Sequence, residues 1–157
     1  LIEMEVEPFL LASTLEVIVA QRLVRRICPH CRFSFTVTTK EARGLFKGAE
    51  HYFPEGEDVH FYRGKGCEAC GNTGYRGRVG IYEVLEVNKD VEELITARAG
   101  STDILLKARK NGMMFLFEDG LEKVKEGLTT LEELMRMAAP PEAIFFQSDE
   151  SRDNVRA

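Results

Sequence analysis

The sequence lacks any hydrophobic run long enough to cross a membrane. Its longest nearly apolar stretch, residues 8–20, is 13 residues long and is interrupted by Glu16, whereas a membrane-spanning helix needs about 20. The first seven residues contain three glutamates and no basic residue, so we expect no signal peptide in this segment. Because the chain begins with Leu1 rather than methionine, we expect it to be part of a longer protein.

Familiar catalytic motifs are also missing from the sequence. It contains no G-x-x-x-x-G-K-[ST], no G-x-G-x-x-G between a strand and a helix, no G-x-S-x-G and no H-E-x-x-H. The adjacent acidic residues Glu92–Glu93 and Glu132–Glu133 fall on the solvated faces of predicted helices. We therefore expect no active site in this chain.

The composition is that of a folded chain with a mild charge asymmetry. Of its 157 residues, 44% are hydrophobic and 30% are charged, which suits one ordinary domain or two small ones. The net charge is −5, yet residues 22–82 carry 11 basic and 6 acidic side chains. Such a segment could contact phosphate, but the excess is small, and a solvated surface is the favoured interpretation.

Hydrophobic periodicity predicts an α+β fold. A helix-like start at Pro8 precedes a strand over residues 15–27, whose apolar side chains lie on both faces, as is typical of a strand covered on both sides. Such a sheet needs more strands than this chain contains, so a neighbouring part of the parent protein is expected to be absent. Residues 28–78 are predicted to form short strands and turns, and residues 79–87 another strand.

From Asp90 onwards the hydrophobic period is helical and predicts four short helices that form one small bundle. Ser101 is expected to be the N-cap of a helix that ends at Lys110. Thr130 and Glu133 have the spacing of a capping box.

All four cysteines lie in two Cys-x-x-Cys pairs that are separated by 35 residues. Two such turns can supply four corners of a tetrahedron, and four thiolates favour zinc over harder cations. Gly71 and Gly74 are expected to let backbone N–H groups turn toward the sulfurs. The sequence predicts a closed, structural Zn²⁺ site, and the binding free energy of such sites in small zinc fingers, about 10–16 kcal/mol, is ample to fix a glycine-rich segment. The predicted ligands are Cys28, Cys31, Cys67 and Cys70.

One alternative is a redox function. The Cys-Pro-His-Cys pair resembles the active site of thiol–disulfide oxidoreductases, in which a helix N-terminus lowers the pKa of the first thiol. Here Cys31 is followed by aromatic and β-branched residues, which favour a strand. His30, His51 and His60 are expected to be surface or packing residues rather than ligands.

A second alternative is nucleic-acid binding, because basic residues flank both cysteine pairs and lie among Phe61, Tyr62 and Tyr75. However, nucleic-acid zinc ribbons usually have about 15–20 residues between the pairs. Pairing with acidic residues of a neighbouring domain or subunit is the favoured interpretation. The basic residues are Arg22, Arg25, Arg26, Arg32, Arg63, Lys65, Arg76 and Arg78.

Three segments carry a resemblance to a known family. They are VEPFLLASTL with AQRLVRRICPHC over residues 6–31, CEACGNTGYRGRVGIYEVL over residues 67–85, and EDGLEKVKEGLTTLEEL over residues 118–134. In collinear order over residues 3–138, the chain resembles the C-terminal part of the secretion ATPases that power type II secretion and type IV pilus assembly, the general secretion pathway protein E family.

The resemblance implies a particular domain organisation. Residues 1–27 and 79–89 would belong to the C-terminal edge of a RecA-like α/β domain. Residues 28–78 would form its zinc-binding insertion. Residues 90–138 would form a helical subdomain, and residues 139–157 a flexible tail.

The resemblance also implies the setting of the longer protein. That protein would be a homo-hexameric ATPase, bound peripherally to the cytoplasmic face of the bacterial inner membrane, that uses ATP and Mg²⁺ and engages the secretion or pilus assembly platform. The phosphate-binding region of the family lies upstream, so this chain alone is expected not to hydrolyse ATP. Its role would be structural and partner-docking, with no nucleic-acid partner. The expected docking anchors, if exposed, are Phe46, Tyr52, Phe53, Phe61 and Tyr62.

Overall fold

The computed structural model describes residues 6–56 and 58–142, and it has the predicted α+β class. Among the described residues no helix is long and apolar enough to span a bilayer. Most of the predicted tail, residues 143–157, lies outside the described residues. The elements are α1 Pro8–Thr14, β1 Val17–Ile27, β2 Arg32–Val37, α2 Thr39–Arg43, β3 Val59–Gly64, β4 Tyr75–Glu86, α3 Lys89–Thr96, α4 Ser101–Lys110, α5 Leu116–Lys125 and α6 Leu131–Met137, with 3₁₀ turns at Ala49–His51 and Glu68–Cys70.

The strands form two antiparallel pairs. β2 and β3 pair from Arg32 opposite Gly64 to Val37 opposite Val59. β1 pairs with β4. The N–H of Cys28, just after β1, donates to the carbonyl of Gly74, just before β4, and the N–H of residue 87 donates to the carbonyl of residue 16 at the other end of the pair. The two strands therefore run in opposite directions. Both strands of each pair were expected from the sequence.

β1 is largely exposed among the described residues, and its expected burial in a larger sheet of the longer protein remains a prediction. Only Val24 and Ile27 of the strand are buried, whereas Val17, Val19 and Leu23 keep about half of their surface exposed. The physical reason is that, in the described part of the chain, β4 is the only strand that pairs with β1. A pair of strands leaves apolar side chains uncovered that a larger sheet with layers on both faces would bury.

The described residues divide into two compact units. The first comprises residues 6–20 and 83–114, in which α1 packs against α3 and α3 against α4. The second comprises residues 21–82 and 115–142, in which α5 packs against α6 and against β3. The four C-terminal helices are thus divided between the units rather than forming one bundle. The predicted domain boundaries concern the longer protein and remain a prediction.

Aromatic side chains form much of the core of the second unit. Phe53, Phe61 and Phe117 are buried, and the Phe53 and Phe61 ring centroids are 6.0 Å apart. Phe46 and Tyr52 are partly buried and pack against the same core, with the Phe46 ring centroid 5.1 Å from that of Phe117. Phe53 and Phe61 are therefore core residues rather than exposed docking anchors.

The helix ends follow local sequence signals, with two differences from prediction. α4 ends at Lys110 as expected, but Gly100 is its N-cap and Ser101 is already its first residue. Thr130 caps α6 by accepting a hydrogen bond from the Glu133 N–H at 3.2 Å, as expected. The Glu133 carboxylate, however, accepts hydrogen bonds from two arginines, as described below.

The short helix α2 was not predicted. It begins after Thr38, which forms a reciprocal capping box with Glu41. The Thr-x-x-Glu signal for this helix was present in the sequence.

Candidate metal centre

The structure brings the four cysteines of the two predicted pairs together. Their sulfur atoms all lie within 4.8 Å of one another, with Sγ–Sγ distances of 3.7 Å for Cys67–Cys70, 3.9 Å for Cys28–Cys67 and 4.0 Å for Cys31–Cys70. Four sulfurs at the tetrahedral zinc–sulfur distance would be about 3.8 Å apart, whereas a disulfide needs about 2.05 Å. The donor set and its spacing therefore fit a tetrahedral thiolate site for zinc.

Each cysteine pair lies in a turn next to a strand. Cys28 directly follows β1 and Cys31 directly precedes β2, whereas Cys67 and Cys70 bound the 3₁₀ turn that precedes β4. Hydrogen bonds connect the two turns, from Cys28 N–H to the Gly74 carbonyl at 2.9 Å and from Lys65 N–H to the Cys31 carbonyl at 3.0 Å. The backbone thus brings the two pairs together across the 35 residues between them.

Close backbone packing explains the glycines near the second pair. A Cβ atom on Gly64 would lie 2.2 Å from the Gly74 carbonyl oxygen, and Gly74 itself has a φ of +77°. A side chain at either position would force apart the two segments that carry the cysteines. Gly64 and Gly74 are therefore required by the close approach of these two segments.

Backbone N–H groups point at one of the sulfurs. The Cys70 Sγ accepts from Cys67 N–H at 3.2 Å and from Gly74 N–H at 3.3 Å. The expectation for Gly74 is confirmed, but the Gly71 N–H donates to the Glu68 carbonyl instead. Gly71, with a φ of +59°, ends the 3₁₀ turn.

The pKa values of the cysteine thiols are shifted in opposite directions. Burial by itself raises the pKa of Cys70, but the hydrogen bonds from Cys67 and Gly74 outweigh it and lower that pKa to about 6. Burial raises the pKa of Cys31 to about 11 and also raises that of Cys67. A cation bound among them would stabilise the thiolates, so metal binding would release protons.

Most of the basic residues near the cysteines have partners within the chain. Arg25 pairs with Glu133, Arg63 pairs with Glu132, and the Arg32 guanidinium donates to a backbone carbonyl. Arg22 and Lys65 also contact groups of the chain, respectively a carbonyl of α6 and the ring of residue 33. These partners lie within the chain, whereas the sequence analysis places such partners on a neighbouring domain or subunit.

The metal cluster found among the described residues consists of the four cysteines. The Nδ1 atom of His60 lies 3.1 Å from the hydroxyl of Thr36, its neighbour across the β2–β3 pair. His60 is exposed, so it is a surface residue of this strand pair.

Comparison with known proteins identifies the family. The family model described as "Type II/IV secretion system protein" matches residues 1–136. The type IV pilus assembly ATPase PilB of Thermus thermophilus is 42% identical over 85% of this chain and 14% of its own length. The type II secretion system ATPase E of Vibrio cholerae is 41% identical over 86% of this chain and 25% of its own length.

A third relative, the type IV pilus assembly ATPase TfpB of Acinetobacter baylyi, is 36% identical over 86% of this chain and 22% of its own length. The chain thus spans a quarter or less of the length of these relatives. The resemblance seen in the sequence is confirmed, and the chain belongs to the type II/IV secretion system protein family.

Proposed function

We propose that this chain is the C-terminal, zinc-binding and helical part of a secretion or pilus-assembly motor ATPase, and that its role is structural and partner-docking. The observation that carries the proposal is the packing of four cysteine sulfurs within 4.8 Å of one another. The relatives are named as ATPases of these systems, whereas this sequence lacks a phosphate-binding loop. In this proposal the chain has a structural role and does not itself hydrolyse nucleotide.

Zinc would be held by Cys28, Cys31, Cys67 and Cys70 and would supply a rigid cross-link between the two ends of the insertion. Four thiolates complete the coordination shell, so the site has no open position for water or substrate. The chain's own contribution is to bring the sulfurs together by the hydrogen bonds between the two turns. Closing this long loop restricts the unfolded chain and stabilises the insertion.

The exposed apolar side chains of β1 support a RecA-like context. Val17, Ile18, Val19 and Leu23 are about half exposed on a strand with a single pairing partner among the described residues. An isolated domain seldom exposes so many neighbouring apolar side chains. In the proposed longer protein, residues 1–27 and 79–89 complete the edge of the RecA-like sheet, residues 28–78 are the insertion, and residues 90–138 are the helical subdomain.

The setting of the longer protein is part of the same proposal. That protein would be a homo-hexamer that binds ATP and Mg²⁺ through its upstream region. It would act at the cytoplasmic face of the bacterial inner membrane and dock on platform proteins of the secretion or pilus machinery. Since Phe53 and Phe61 are buried, docking would use other residues of this chain.

The proposal is tested by measuring the zinc content of chain purified without chelator. One zinc per chain is expected, with thiols that react only after denaturation. Cys67→Ser should lose the metal, whereas His30→Ala, which changes a residue between two proposed ligands, should keep it. Absence of metal together with a disulfide in the wild-type chain would contradict the proposal and favour the thiol oxidoreductase.

A further inference from the structure

The turn between α5 and α6, residues 126–130, lies against both ends of the first cysteine pair. Ile27, which directly precedes Cys28, donates its N–H to the Leu128 carbonyl at 2.8 Å. Arg32, which directly follows Cys31, donates from Nη1 to the Gly127 carbonyl at 3.2 Å. The α5–α6 turn is therefore bound to the residues on either side of the first pair.

The same turn is bound to the segment that follows the second pair. The Tyr75 hydroxyl lies 2.9 Å from the Thr130 hydroxyl. Tyr75 directly follows Gly74, whose N–H donates to the Cys70 sulfur and whose carbonyl accepts from Cys28. A displacement of either cysteine turn would thus be transmitted to the α5–α6 turn within one or two residues.

A buried carboxylate at the start of α6 binds Arg25, which in turn contacts Tyr75 and Thr129. Glu133, whose side chain is fully buried, accepts hydrogen bonds from the Arg25 backbone N–H at 3.1 Å and from its guanidinium at 2.8 and 3.0 Å. The Arg25 guanidinium lies 4.2 Å from the centre of the Tyr75 ring. The Arg25 carbonyl accepts from the Thr129 hydroxyl at 2.8 Å.

We propose that metal loading of the four cysteines is coupled to the ordering of α5 and α6. This inference rests on the proposed zinc function. Zinc fixes the two cysteine turns relative to each other, and those turns carry the groups that bind the α5–α6 turn. By linkage, contacts that hold the turn in place also pre-organise the sulfurs and tighten metal binding.

Amide hydrogen exchange, measured on zinc-loaded chain and on chain stripped with a chelator, tests one direction of this coupling. Removal of zinc should lower the protection of amides in residues 116–137 by about tenfold or more. Residues 89–110, which belong to the other compact unit, serve as the internal reference and should change by less than about twofold. Zinc content is measured on the same samples.

The reciprocal direction is tested by replacing Glu133, which is not one of the proposed ligands. Glu133→Gln should weaken zinc binding by about tenfold, the usual size of an effect transmitted from outside the ligand shell. Glu132→Gln is the matched control, because it makes the same charge change one residue away at an exposed ion pair with Arg63. Tyr75→Phe, which removes one hydroxyl contact with Thr130, is a milder variant if Glu133→Gln does not fold.

The outcomes separate the two proposals. A wild-type chain that binds no zinc overturns both. One zinc per chain, with unchanged exchange of residues 116–137 on its removal and an unchanged affinity in Glu133→Gln or Tyr75→Phe, overturns the coupling and leaves the zinc site in place. Exchange that rises in residues 116–137 and an affinity that falls in these variants but not in Glu132→Gln support the coupling.

Discussion

Replacing Glu133 by glutamine should destabilise the second compact unit, because it removes the charge from a buried acceptor. The carboxylate accepts five hydrogen bonds, three from Arg25 and two from Arg136. A glutamine of nearly the same size keeps one oxygen acceptor, but it directs an amide N–H₂ group at arginine donors. The change in the free energy of unfolding on Glu133→Gln therefore reports the lost charge and hydrogen bonds and not the creation of a cavity.

The magnitude follows from the protonation of Glu133. Burial alone would raise its pKa, but hydrogen bonds from Arg136 and Arg25 outweigh burial and lower it from 4.5 to about 2. This difference corresponds to about 3 kcal/mol. The arginine side chains are 50% and 59% exposed and regain water when the carboxylate is lost, so we expect a loss of about 2–3 kcal/mol at pH 7.

The contribution of Glu133 should depend on pH in a defined direction. Because the pKa in the folded chain lies below its ordinary value of 4.5, the stabilisation is complete above about pH 5 and is lost as the pH falls toward 2. The difference in free energy of unfolding between wild type and Glu133→Gln should therefore shrink over this window.

Urea denaturation of both chains, followed by circular dichroism between pH 7 and pH 3, is the appropriate assay. Glu132→Gln, at an exposed ion pair, should change the free energy of unfolding by less than about 1 kcal/mol. The reasoning would be refuted if Glu133→Gln were as stable as this control at pH 7. It would also be refuted if the stability difference from wild type stayed constant down to pH 3.

Three further predictions concern other parts of the chain. Gly64→Ala would place a Cβ atom 2.2 Å from the Gly74 carbonyl oxygen, so it should lower the free energy of unfolding by about 1–3 kcal/mol and reduce the zinc content. Both are measured on one preparation. A variant with normal stability and normal zinc content would contradict the close packing of Gly64 against Gly74. Phe117→Ala should cost about 3–5 kcal/mol in urea denaturation, because this ring is buried among other aromatic rings, and a loss below about 1 kcal/mol would contradict its place in the core. Asp90→Asn removes an exposed ion pair with Lys107, whose hydrogen bond lowers the pKa of Asp90. Because exposed pairs contribute little to stability, the melting temperature of the variant should match that of wild type. A clear decrease would contradict this expectation.

Several features could be predicted because they depend on neighbouring residues along the chain. Runs of β-forming apolar residues indicated β1 and most of β4, and the helical period indicated α3 to α6. The spacing of the cysteine pairs predicted the sulfur cluster, since a Cys-x-x-Cys turn brings its own two sulfurs together. The capping signal at Thr130 correctly marked the start of α6.

Other features could not be predicted because they depend on which segments meet in space. Glu133 was interpreted as a solvated residue of a helix face, yet it is buried under Arg25, which lies 108 residues earlier in the chain. Phe53 and Phe61 are candidate anchors in the sequence, but both are buried in the same core cluster as Phe117 of α5. A hydrophobic pattern shows that an aromatic residue is apolar, but not which surface covers it.

The sequence by itself determined the family, the types of most secondary-structure elements and the four candidate metal ligands, because motif spacing and periodicity depend only on the order of neighbouring residues. Only the tertiary structure decided that the α5–α6 turn binds the residues around both cysteine pairs and that most of the flanking arginines have partners within the chain. The free energy of a buried charge or ring depends on groups that surround it from distant parts of the chain, and only the fold brings those groups together.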